Sequence, residues 1–99
     1  MKLSIIIPTF NEEHELPKLL KFLKEYSQLH EIIVVDANSN DNTVAIAEQF
    51  GCLVIQSSIK RRSVQLDMGG KIASGDWLFF LHADSIPPNS FINDISSIQ

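Results

Sequence analysis

Four short apolar runs, residues 3–7, 31–35, 52–55 and 77–81, recur along the chain with helical patterns between them. Runs of this length suit buried strands; a membrane span needs about 18–20 apolar residues. Between the first two, Leu16, Leu19, Leu20, Leu23 and Tyr26 fall on one helical face, with Lys18, Lys21 and Lys24 opposite. Pro17 belongs in the first turn of that helix, because an interior proline breaks the ladder. Asp41 or Asn42 caps a second helix carrying Val44, Ala45, Ile46, Ala47 and Phe50, stopped by Gly51. Ser63 is expected to cap a third, with Val64, Leu66, Met68 and Ile72 inward and Gly75 as its stop. Pro87, Pro88, Asn89 and Ser90 open a last helix with Phe91, Ile92, Ile95 and Ile98. Cys52 and Trp77 are expected in the core, and His14 and His30 at the surface.

Strands alternating with helices predict an α/β fold: a doubly wound, mainly parallel four-stranded sheet with helices on both faces. With 99 residues the chain has room for one small domain, residues 1–99. Its apolar-periodic last helix has no tail, so the sequence reads as a domain stopped partway. The fourth strand is then expected to keep an open edge, which predicts self-association.

Composition narrows the partners. Twelve acidic and eight basic residues give a net charge of −4, against general binding to nucleic acid or anionic membrane. The lone Cys52 has no internal disulfide partner and fits a reducing compartment. The apolar runs are too short for a transmembrane segment or a signal peptide. The expected location is cytoplasmic, either free or peripheral to the inner face of the membrane.

Open parallel sheets bind ligands beyond the carboxyl ends of their strands. There the sequence places Pro8, Thr9, Phe10, Asn11, Glu12 and Glu13, then Asp36, Ala37, Asn38, Ser39, Asn40 and Asp41. Gln56, Ser57 and Ser58 with Lys60, Arg61 and Arg62 follow the third strand, and His82, Ala83, Asp84 and Ser85 the fourth. Neither G-x-x-x-x-G-K-[ST] nor G-x-G-x-x-G occurs, so phosphates would need a metal or the basic cluster at residues 60–62. In extended backbone His82 and Asp84 project to one side, where imidazole and carboxylate could hold a divalent cation. Each feature also has a structural reading. Asp36 can close an Asx-turn, Asn11 can be a plain N-cap, and Glu12 and Glu13 can be solvated first-turn carboxylates. Residues 60–62 can be a solvated charge run, and Asp84 can cap a turn before Pro87.

Taken together, three pieces resemble the family 2 glycosyltransferases of GT-A fold. They are SIIIPTFNEE at 4–13, EIIVVDANSNDNT at 31–43, and ASGDWLFFL at 73–81 followed by His82, Ala83 and Asp84. They stand in the family's order, each at a strand's end, and cover its nucleotide-sugar half. The resemblance implies that Pro8, Thr9, Asn11 and Glu12 line the nucleoside pocket and that Asp36 approaches the base or ribose. It implies that Arg62 and Gln65 reach the nucleotide from the third helix, and that Asp84, with His82, reaches the diphosphate through Mg²⁺ or Mn²⁺. The implied reaction is transfer of a sugar from a nucleoside diphosphate to an unidentified acceptor. Two positions depart from the family pattern. Ala37 stands where many members have a second Asp, and His82 replaces the first Asp of Asp-x-Asp. The resulting His-Ala-Asp-Ser form resembles one bacterial subgroup of the family. The family's catalytic base and acceptor pocket lie in its second half, so no residue here is assigned as general base. A non-catalytic nucleotide-binding module and a self-associating half-domain remain the alternatives.

Overall fold

The computed structural model describes residues 2–25 and 29–84. The order is β1 (Leu3–Thr9), α1 (Leu16–Leu23), β2 (Leu29–Asp36), α2 (Thr43–Gln49), β3 (Leu53–Gln56), α3 (Arg62–Ile72) and β4 (Trp77–Phe80). All strand pairings are parallel, in the order β3-β2-β1-β4. The chain therefore winds outward from β1 to β3, then returns across the sheet to place β4 on the far side of β1. With one crossover handedness, that reversal puts α3 on the face opposite α1 and α2. The expected α/β architecture, with helices on both faces, is the observed one. The expected last helix and Tyr26 lie outside the described residues, as does the side chain of His30.

Strand periodicity sorts the core into two layers. Leu3, Ile5, Ile7, Ile32 and Val34 pack with Leu16, Leu19, Leu20, Leu23 and Ala47 of α1 and α2. Ile6, Ile33 and Val35 face α3, where Leu66, Met68 and Ala73 cover them in part. Every residue of β1 is buried, as its central place requires. Pro17 sits in the first turn of α1 as expected. Gly51 ends α2 with φ of 80°, a left-handed turn that favours glycine. Its amide donates to Glu48 O and the Cys52 amide to Ala47 O, at 3.0 Å each, closing a Schellman motif.

Several local expectations are corrected. Ala45 is exposed, while Thr43 and Ala47 form the buried side of α2. Arg61, not Ser63, is the N-cap of α3, whose buried residues are Gln65 and Gly69. Of the expected inward set, Leu66 and Met68 pack partly against the sheet, but Ile72 is 44% exposed and the buried ridge is that of Gln65 and Gly69. The cause is close approach of helix and sheet: a Cβ on Gly69 would meet Ile6 Cγ2 at 2.5 Å and Val35 Cγ2 at 3.0 Å. Gly75 is not the helix stop, since Ala73 is the C-cap of α3. It lies where a Cβ would meet Ser4 Oγ at 2.4 Å and Lys2 O at 2.9 Å. Trp77 is not core: with Leu78 and Phe80 it is exposed on β4. Cys52 is half-buried against the larger cluster, and His14 is exposed as expected.

Candidate functional site

The carboxyl ends of β1 and β2 are fastened to each other around Asp36. This carboxylate is fully buried. It accepts hydrogen bonds from the Thr9 hydroxyl at 2.8 Å, the Ser39 amide at 2.9 Å, Gln56 Nε2 at 3.1 Å and the Ser39 hydroxyl. Such a set offsets the cost of burying a charge. The Ser39 amide bond closes the loop three residues on from Asp36, one residue longer than the Asx-turn that the sequence allows. From α3, Gln65 Nε2 donates to Val35 O at 2.8 Å and Thr9 O at 3.1 Å, closing the ends of both strands. Gln65 is buried for that reason.

The loops beyond the two strands are interlocked. Asn11 and Asn38 both take left-handed backbone, with φ of 52° and 56°, which asparagine tolerates better than most residues. The Asn11 amide donates to Ser39 Oγ and Asn11 Oδ1 accepts the Asn40 amide, each at 2.8 Å. Asn11 is thus no helix cap; Glu15 holds that position in α1.

In front of this frame lies a cleft of about 250 Å³, lined by Pro8, Thr9, Phe10, Glu12, Lys60, Arg62 and Gln65. Five of these, Pro8, Thr9, Glu12, Arg62 and Gln65, are residues that the resemblance assigns to the nucleotide. Asn11 and Asp36 do not line it and instead brace the loops behind it. Phe10 and Lys60 are the additions, with Lys60 Nζ 3.8 Å from the Phe10 ring centroid, a cation–π contact. Their signal was visible in the sequence: Phe10 lies inside the first loop and Lys60 opens the basic cluster. The cleft sits at the switch point of the sheet, where β1 is flanked by β2 and β4.

Burial pushes the Glu12 carboxyl up, and the charges of Asp84, Glu15 and Asp41 push it further, with Arg62 opposing them. Asp84, in the turn after β4, is therefore close enough to act on Glu12. His82 is half-buried, and its Nδ1 atom is buried with no hydrogen-bond partner among the described residues. An unpartnered ring nitrogen two residues from an exposed carboxylate fits a divalent cation. The described residues contain no group of three or more His, Cys, Asp or Glu side chains able to hold a metal. Mg²⁺ sites commonly use one or two carboxylates and complete the shell with phosphate oxygens and water, a use that the Asp84 carboxylate fits. No described helix is long and apolar enough to cross a membrane.

Comparison with known proteins agrees with this geometry. The model of glycosyl transferase family 2 matches residues 4–95. The 4,4'-diaponeurosporenoate glycosyltransferase of Staphylococcus haemolyticus is 38% identical over 89 residues, covering 83% of this chain and 24% of that protein. An undecaprenyl-phosphate 4-deoxy-4-formamido-L-arabinose transferase of Serratia proteamaculans is 38% identical over 94 residues, covering 84% and 29%. The chain thus spans about a quarter to a third of these relatives' length. S. aureus TarS 1-349 in complex with UDP-GlcNAc superposes with a TM-score of 0.79 at 27% identity, over 98% of this chain and 30% of that one. The mannosyltransferase PcManGT of Pyrobaculum calidifontis, in complex with GDP-Man and Mn²⁺, shares the fold with a TM-score of 0.80 at 21% identity, over 91% and 30%. With the sheet order, the cleft and the family match in agreement, the chain belongs to glycosyl transferase family 2.

Proposed function

We propose that the cleft binds a nucleoside diphosphate sugar with a divalent cation, and that this chain supplies the donor-binding part of a glycosyl transfer to an acceptor. The observation that carries this reading is the gathering of Pro8, Thr9, Phe10, Glu12, Lys60, Arg62 and Gln65 around one cleft at the switch point. TarS, similar over almost the whole of this chain, is known with UDP-GlcNAc. In this reading Pro8, Thr9 and Phe10 form the wall for the nucleoside. Lys60 and Arg62 meet the diphosphate, giving a local positive face to a chain of net charge −4. His82 and Asp84 would hold Mg²⁺ or Mn²⁺, which supplies positive charge to the nucleotide as it leaves. Asp36 and Asn11 act through the frame.

Calorimetry of UDP and GDP, with and without Mg²⁺ or Mn²⁺, tests the reading. Binding that requires the cation and is lost in Asp84→Ala is expected. Equal affinity with and without cation would remove the metal from the site, and no binding of either nucleotide would overturn the reading. Turnover of a nucleotide sugar separates a catalytic chain from a binding module.

Self-association is the second part of the proposal, favoured by the exposure of Trp77, Leu78 and Phe80 on β4. Among the described residues β4 pairs on one side alone, with β1, and unpaired edges recruit other chains. Sedimentation at micromolar concentration should show a dimer; a monomer contradicts it.

A further inference from the structure

Glu12 projects into the cleft from a loop whose backbone is held at both ends of one residue. The Leu16 amide donates to Glu12 O at 2.9 Å, and the Glu12 amide donates to Thr43 Oγ1 at 2.8 Å. Thr43 is fully buried at the start of α2 and does not line the cleft. Its hydroxyl in turn donates to Asp41 Oδ1. Asp41 also accepts the Thr43 amide at 3.0 Å and, through Oδ2, the Glu13 amide at 3.2 Å. The Asn42 amide donates back to Glu13 Oε1 at 3.2 Å. The polarity runs in one direction, from amide to hydroxyl to carboxylate. Only a side chain that accepts and donates at the same atom can stand in the middle.

We infer that Thr43 and Asp41 are positioning residues of the nucleotide cleft, which act by fixing the Glu12 backbone through this relay. The inference rests on the proposed reading of the cleft, since positioning matters to function only if the cleft binds its nucleotide. Asn11, in left-handed backbone just before Glu12, leaves the loop dependent on outside anchors. Without the relay, the Glu12 amide loses its partner at a position bordered by α2.

The test compares Thr43→Val, which keeps the shape and removes the relay, with Thr43→Ser, which keeps both acceptor and donor. Two quantities are read on the full chain: amide exchange at Glu12 by NMR, and affinity for UDP and GDP with MgCl₂. Thr43→Val should speed Glu12 exchange and weaken nucleotide binding by about tenfold each, the scale of one lost hydrogen bond. Thr43→Ser should stay within about twofold of the parent in both, since the relay is intact. Should Thr43→Val fold poorly, Asp41→Ala removes the end of the relay from a less buried place and should shift both readouts in the same direction. Unchanged Glu12 exchange in Thr43→Val, or a serine variant as damaged as the valine one, would overturn the inference. If the parent binds neither nucleotide, the proposed function falls, while Glu12 exchange still decides whether the relay positions the loop.

Discussion

The Thr9 hydroxyl donates a 2.8 Å hydrogen bond to Asp36 Oδ1, joining the last residues of β1 and β2, which are themselves register partners. The bond sits behind the cleft, and Asp36 is fully buried among its donors. Asp36→Ala would leave the Thr9 hydroxyl, the Ser39 amide and Gln56 without this acceptor. The expected loss of stability is about 2–4 kcal/mol by urea denaturation, in the range for breaking a buried hydrogen-bond network. A variant as stable as the parent would contradict this bracing role for Asp36.

Gly69 and Gly70 are neighbours in α3 with opposite expectations. A methyl at Gly69 would press on Ile6 and Val35, whereas at Gly70 it would find Leu78 Cδ1 at 3.8 Å, an ordinary contact. Gly69→Ala should cost about 1–3 kcal/mol through overpacking. Gly70→Ala should gain roughly 0.5–1 kcal/mol from helix propensity and a less flexible unfolded chain. Paired denaturation curves check the sign of each.

Crossover handedness leaves several doubly wound strand orders open, but the parallel α/β class and the edge that carries the site were readable from the alternating pattern, because buried parallel strands and amphipathic helices have distinct periods. The inward face of α3 was not. Its buried ridge is Gln65 and Gly69, which carry no apolar signal, whereas of the apolar set at helical spacing Leu66 and Met68 only flank the contact and Ile72 is exposed. Trp77 misleads for a related reason: aromatic content marks a strand without saying whether that strand is central. Among the candidate site residues, chemistry and position in the loops were legible. The division between those that line the cleft and those that brace it was not. Asn11 and Asp36 are not in the lining of the cleft: Asn11 Oδ1 holds the Asn40 amide, and the Asp36 carboxylate holds Thr9 and Gln56, pairings that span 20 or more residues.

Glu12 has a pH signature. Burial, and then the Asp84 charge, raise its pKa above the ordinary value, so the folded chain holds that proton more tightly than the unfolded chain does. Ionised Glu12 therefore costs stability above the folded pKa, and the cost vanishes below the ordinary glutamate range. Glu12→Gln should melt higher than the parent at pH 7, and the two melting curves should converge as pH falls below about 4.3. A lower melting point for the variant at pH 7 would contradict the assignment.

Asp41 has the opposite sign. Burial alone would raise its pKa, but hydrogen bonds from the Thr43 hydroxyl, the Thr43 amide and the Glu13 amide outweigh it and hold the carboxyl below its ordinary value. Its contribution is present above the unfolded pKa and is lost as pH falls through the folded one. Asp41→Ala should therefore melt below the parent at pH 7, with the difference closing in acid. A difference that does not change with pH would mean that the carboxylate charge is not involved.

His82 presents a buried Nδ1 without a partner among the described residues. If that nitrogen serves a cation, His82→Asp should keep or improve Mn²⁺ affinity measured by calorimetry. A lower melting point with unchanged Mn²⁺ affinity would make His82 a packing residue and leave Asp84 alone at the site.

The most direct measurement is an amide chemical-shift map of the full chain titrated with UDP or GDP in the presence of Mg²⁺. The account predicts saturable shifts concentrated at Thr9, Phe10 and Glu12, at Arg62 and Gln65, and at His82 and Asp84, with β3 and the outer face of α1 undisturbed. Absence of shifts at saturating nucleotide, or shifts confined to residues outside the cleft, would contradict it.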